Sequence, residues 1–156
     1  MRPNLQSLIA FNGVGAVLGL SSAQLATGFG YAFPVSPWSM VLMLPLIAIS
    51  VYLASYPIYR YRKKLEEHKE GPRPARPNPF YAFRVLVISR AVALTGALFG
   101  GWHAGALIWL ISFSVAPAAL VMPMLFGLLG SATMLAGGLL GEFNCRVPKD
   151  PGEGAE

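Results

Sequence analysis

The sequence predicts an all-α, polytopic membrane protein whose four transmembrane helices form two antiparallel hairpins, N-in and C-in. Three observations carry this expectation. Of 156 residues, 54% are hydrophobic and only 12% are charged, whereas about a quarter are charged in soluble domains. No Asp, Glu, Lys or Arg occurs from Pro3 to Tyr59 or from Ala91 to Gly141. A helix crosses a hydrocarbon core of roughly 30 Å with about 20 residues. Each uncharged stretch is more than twice that length, enough for two crossings joined by a turn. A β-barrel is disfavoured because its strands alternate polar and apolar residues, and these runs are apolar on every face.

The first span covers about 5–25, thinned by the polar Asn12 and Gln24 and by Gly13, Gly15 and Gly19. Arg2, the apolar run behind it and Ser21-Ser22-Ala23 also fit a cleavable signal peptide. Cleavage there would leave three spans with the same orientation beyond Trp38. Thr27 to Pro37 carries Gly and Pro breakers and Tyr31, and it forms the first outer loop.

The second span, 38–60, opens on Trp38 and ends among Tyr52, Tyr56, Tyr59 and Tyr61, aromatic anchors suited to both interfaces. Arg60 to Glu70 is helix-compatible and continues it into water. The following GPRPARPNP is extended, because Pro fixes φ and lacks an N–H. Together they make the charged loop 60–80. Phe80 starts the approach to the third span, 83–111, with Arg84 and Arg90 in its first turns. Ser112 to Pro117 turns the chain, the fourth span covers 117–143 with a possible kink at Pro123, and the polar tail 147–156 is disordered. The whole chain, 1–156, is one transmembrane domain.

Orientation follows from the positive-inside rule. All twelve Lys and Arg lie before span one, between Arg60 and Arg90, or after span four. Both termini and the charged loop are therefore expected in the cytoplasm, with the protein in the cell membrane. The pI near 9.7 reflects this topology, since no nucleic-acid motif accompanies the basic residues. The expected partner is the lipid bilayer, including anionic headgroups drawn to Arg60, Arg62, Lys63, Lys64, Lys69, Arg73 and Arg76. A membrane-protein partner or a second copy is the further option. One Cys excludes an intramolecular disulfide.

Small residues recur at four-residue spacing in Gly15 and Gly19, Gly96 and Gly100, Gly101 and Gly105, and Gly137 and Gly141. Such spacing lets helix backbones approach closely in lipid. Packing within the chain is the plainer reading and homodimerisation the alternative. Arg90 lies about 9 Å deeper than Arg84 along a helix. There it either faces a polar partner or snorkels to the headgroups.

Glu142 ends span four beside the start of span three, where Arg84 or Arg90 can pair with it. His103, about 20 Å from Arg90 toward the other face, is too far from Glu142 for an acid/base pair, and a lone His among glycines is more often a packing residue than a ligand. Cys145 has no neighbouring His or second Cys. Nucleophile–base, zinc-type and phosphate-loop motifs are all missing from the sequence. No enzyme activity, cofactor or metal is expected.

Phe83-Arg84 opening span three, Arg90 six positions on, Gly100-Gly101-Trp102 with Gly105, and Glu142-x-x-Cys145-Arg146-x-Pro148-x-Asp150 together resemble a family of small actinobacterial membrane proteins. That family is defined by a domain of unknown function and is often encoded beside folate-biosynthesis genes. The resemblance covers most of the chain. It implies a four-helix protein of the cytoplasmic membrane and brings no established activity. Lys is usual in the family at the position of Arg90 and an aromatic at that of His103, so chemistry peculiar to either residue is not implied. The functional expectation is a non-enzymatic accessory or scaffold subunit. A small oligomeric transporter or lipid-handling protein using Arg90 and Glu142 is the alternative. An intramembrane enzyme would need Glu142, Cys145 and a further polar group around one pocket.

Overall fold

The computed structural model describes residues 5–67, 78–112 and 117–145. Residues 1–4, residues 68–77 of the charged loop, residues 113–116, Arg146 and the tail 147–156 lie outside the described residues. Four helices account for nearly all of the rest: α1 (Leu5–Gly28), α2 (Trp38–Glu67), α3 (Pro79–Ser112) and α4 (Ala118–Asn144). Each is long and apolar enough to cross a membrane. The chain is a multi-pass, four-helix membrane protein.

Local chemistry sets the helix ends. Gly30, at φ 76°, follows α1 in the left-handed region, where the Tyr31 N–H reaches back to the Ala26 carbonyl at 2.8 Å and the Gly30 N–H to Thr27 at 3.1 Å. This pair of bonds closes the last turn as a Schellman motif, which glycine adopts without a Cβ penalty. At the start of α3, the Asn78 side chain accepts the Phe80 N–H at 2.9 Å, and Pro79 fills the first helical position, where no N–H is needed. α2 runs past Arg60 to Glu67 as one helix, with Pro45 and Pro57 inside it.

The helices pack in the order α1, α3, α4, α2, with α2 also touching α3. Asn12 sits beside Ala97 and Gln24 beside Trp109, so α1 runs parallel to α3. Gly127 lies against His103 and Gly141 against Ser89, so α4 is antiparallel to α3. Gly130 lies against Leu44 and Asn144 against Ser55, so α2 is parallel to α4. Consecutive helices therefore alternate in direction, as the two hairpins require. The first pair is nevertheless not a packed pair: among the described residues α1 makes no contact with α2 or α4. α1 docks instead on α3, whose glycines match its own.

Candidate functional site

Three seams built from small residues hold the bundle together and position its polar groups. All eight glycines with four-residue spacing are buried between helices of the same chain. At the α1–α3 seam the fit is reciprocal. A Cβ on Gly15 or Gly19 would run into the carbonyl oxygens of Leu98 and Trp102, and one on Gly101 or Gly105 into those of Asn12 and Ala16. Lipid supplies no hydrophobic drive between helices, so this backbone-on-backbone approach supplies dispersion contacts in its place. Two side-chain bonds fasten the seam, Asn12 Nδ2 to the Ala97 carbonyl at 3.0 Å and Trp109 Nε1 to Gln24 Oε1 at 2.7 Å. Gly100 differs from its neighbour: a Cβ there would meet Asn12 Nδ2 and Ser131 Cβ at an ordinary 3.7 Å.

The first polar node centres on His103, fully buried where α3, α4 and the α1–α2 connector meet. Its Nδ1 lies 2.7 Å from the Phe99 carbonyl, a contact that requires Nδ1–H to donate. Nε2 then accepts the Ser36 hydroxyl at 3.0 Å. The Ser131 hydroxyl donates to the Gly127 carbonyl at 2.7 Å and places its oxygen 3.3 Å from Nδ1. The Trp102 ring meets the imidazole edge-on at 5.0 Å between centroids. Every polar atom of the ring has a partner, so the node pins the connector to α3 and α4. Phe33 and Val35 of the connector pack on the Ala106, Leu107 and Met124 cluster and hold Ser36 in place.

The second node lies at the opposite, charged end. Asn144 Nδ2 donates to Ser55 Oγ at 3.0 Å, and that hydroxyl donates to the Tyr52 carbonyl at 2.9 Å. Arg62 reaches from α2 to the last turn of α4, where Nη1 donates to the Phe143 carbonyl at 3.0 Å and the guanidinium rests 4.8 Å from the centre of the Phe143 ring. A cation on the carbonyl end of a helix complements its dipole. Glu142 is buried beside the 85–89 turn of α3, between Gly141 on Ser89 and Cys145 on Val85. Its Oε2 has no hydrogen-bond partner among the described residues. Cys145 closes α4 with its N–H on the Gly141 carbonyl at 3.2 Å, and burial pushes its thiol up from the ordinary range.

The structure separates most of the candidates that the sequence singled out. His103 opposes Gly127, fifteen residues from Glu142 and so about 22 Å along α4. Arg84 and Arg90 are exposed, and among the described residues neither pairs with Glu142. The reason is helical phase: Ser89 faces α4, and the one-residue step to Arg90 turns its side chain about 100° onto the flank. Among the described residues no group of three or more His, Cys, Asp or Glu is placed to hold a metal. Ser36, Ser55, Gly127, Ser131 and Asn144 escape sequence reasoning, since nothing in their spacing marks them. Arg62 looks like one more cation of the basic loop until α4 is placed beside it.

No curated protein and no solved structure matches the chain. A family model described as Protein of unknown function (DUF3180) matches residues 8–149, a range that takes in both polar nodes and nearly all of the four helices. By that match over most of its length, the chain belongs to the DUF3180 family of proteins of unknown function.

Proposed function

We propose that the protein is a non-enzymatic accessory or scaffold subunit of the cytoplasmic membrane, with both termini and the charged loop on the cytoplasmic side. The observation that carries this reading is the place of α1 at the edge of the bundle. Among the described residues α3 is its sole helix neighbour, and α1 fully buries only Gly15, Gly19 and Ala23, with the face opposite α3 turned outward. Two of the groups able to do chemistry are taken up by packing, with the His103 ring fully bonded and Cys145 packed under α2 and α3. The one-sided distribution of Lys and Arg supports the orientation, and the family resemblance supports an actinobacterial source and a folate-gene neighbourhood.

Photo-crosslinking from single positions on α1 in intact membranes tests the proposal. Val14 and Val17, exposed on α1, should give a defined protein adduct, while the buried Ala93 should give none. Crosslinks to lipid alone from every exposed α1 position would overturn it.

A second reading, a small transporter or lipid-handling protein, is favoured by one observation, the unpartnered Oε2 of Glu142. Ionisable groups at membrane depth usually serve a path or a partner. The exposure of Arg90 removes its proposed counter-charge, leaving this reading on Glu142 alone.

A further inference from the structure

We propose that the outward face of α2 from Ile49 to Lys64 is a binding strip for one anionic phospholipid in the leaflet at the charged end. Ile49, Leu53, Tyr56, Arg60, Lys63 and Lys64 recur at three- and four-residue spacing, and all are exposed. They form one helix face that grades from aliphatic through phenolic to cationic. Fifteen residues of helix rise about 22 Å, close to half of a bilayer measured with its headgroups. The strip therefore matches one leaflet in length, in apolar character at its deep end and in charge at its shallow end. Tyrosine belongs at the boundary between the two.

Arg62 is excluded from the strip. It turns to the opposite side of α2 and caps α4 through the Phe143 carbonyl at 3.0 Å, with Tyr59 at 5.8 Å and Phe143 at 4.8 Å from its guanidinium. That contact places Arg62 on the side of α2 that faces the bundle, whereas helical phase alone turns Arg60 and Lys64 away from it. Lys63 lies 3.8 Å from Glu67 on the same exposed surface, so part of its charge is already answered. The phosphate is accordingly held between Arg60 and Lys64, four residues apart on one face, with an acyl chain along Leu53 and Ile49.

Electron paramagnetic resonance of spin-labelled phosphatidylglycerol and phosphatidylcholine, in vesicles containing the full chain and no other protein, tests this independently of any scaffold role. The wild-type chain should prefer phosphatidylglycerol. Replacing Arg60 and Lys64 together with Gln should bring the preference toward unity, by up to about fivefold for each cation removed. Lys63→Gln should do less, Arg60→Lys should retain the preference, and Arg62→Gln should leave it intact. A wild type without preference, an unchanged R60Q/K64Q variant, or an equal loss with Arg62→Gln would each overturn the proposal. The last outcome would mean that total charge, and not this face, selects the lipid.

Discussion

The imidazole of His103 occupies the space where a side chain on Gly127 would begin. The two positions are therefore one fitting, and Gly127→Ala is expected to push the ring off the Ser36 and Phe99 contacts. Overpacking of this kind costs about 1–3 kcal/mol. Equilibrium unfolding in mixed micelles would measure it, with Gly13→Ala as the reference, since a Cβ on Gly13 meets nothing within 4 Å. Equal stability of the two variants would contradict the fit.

Adjacent glycines on α3 should behave oppositely. Gly101→Ala drives a Cβ into the Asn12 carbonyl and should loosen α1 from α3, whereas Gly100→Ala makes only ordinary contact. Double electron–electron resonance between spin labels at the exposed Leu18 and Ile108 would report the seam. The distance distribution should lengthen and broaden in Gly101→Ala and hold steady in Gly100→Ala.

Glu142 offers a test of function against packing. Its Oε2 has no hydrogen-bond partner among the described residues, and burying an unsatisfied polar atom costs about 1–3 kcal/mol. Glu142→Leu should therefore leave the fold as stable or stabilise it by about 1 kcal/mol. Marked destabilisation in the same unfolding assay would reveal a partner for the carboxyl and favour the transporter reading.

Cys145 should resist alkylation at neutral pH. Burial disfavours the thiolate and raises the thiol above its ordinary range, so the reactive form becomes abundant only at higher pH than for a free cysteine. Mass spectrometry after brief iodoacetamide exposure should show little modification in the folded protein, with the rate rising steeply with pH. Labelling as fast as in detergent-denatured protein would contradict the packing against Ile58 and Val85.

The fate of α1 is equally open to measurement. Ser21-Ser22-Ala23 lies inside a continuous helix, and Ala23 is 0% exposed, whereas processing needs an accessible, extended segment. Chain recovered from membranes should yield peptides containing Gly15 and Gly19 by mass spectrometry. A mature product beginning near Gln24 would mean that α3 ends without its neighbour.

What the sequence reveals and what it withholds divide along physical lines. Span number is legible because charge is expensive in hydrocarbon, so the gaps between Arg2 and Arg60 and between Arg90 and Glu142 count crossings directly. Packing faces are legible at Gly15, Gly19, Gly101 and Gly105 because four-residue spacing marks one side of a helix. Which faces meet is another matter: nothing local states that α1 joins α3 in place of its sequence neighbour α2. Ser36 and Ser131 reach His103 across separations of 67 and 28 residues, and no periodicity encodes such meetings. The choice between the two readings of Arg90 is withheld for a similar reason, since depth along a helix can be counted from sequence while the direction of the side chain depends on where the next helix stands.

The bonds that fasten α1 to α3 join residues 85 positions apart. A ribosome adding roughly 5–20 residues per second needs some seconds to make that interval, roughly 4–17 at those rates. During that time the Asn12 and Gln24 amides have no α3 to bind and must be sheltered by the insertion machinery or by passing lipid headgroups. Biogenesis of this small protein therefore contains a waiting period, in which α1 stands in the bilayer without its neighbour until α3 has followed it.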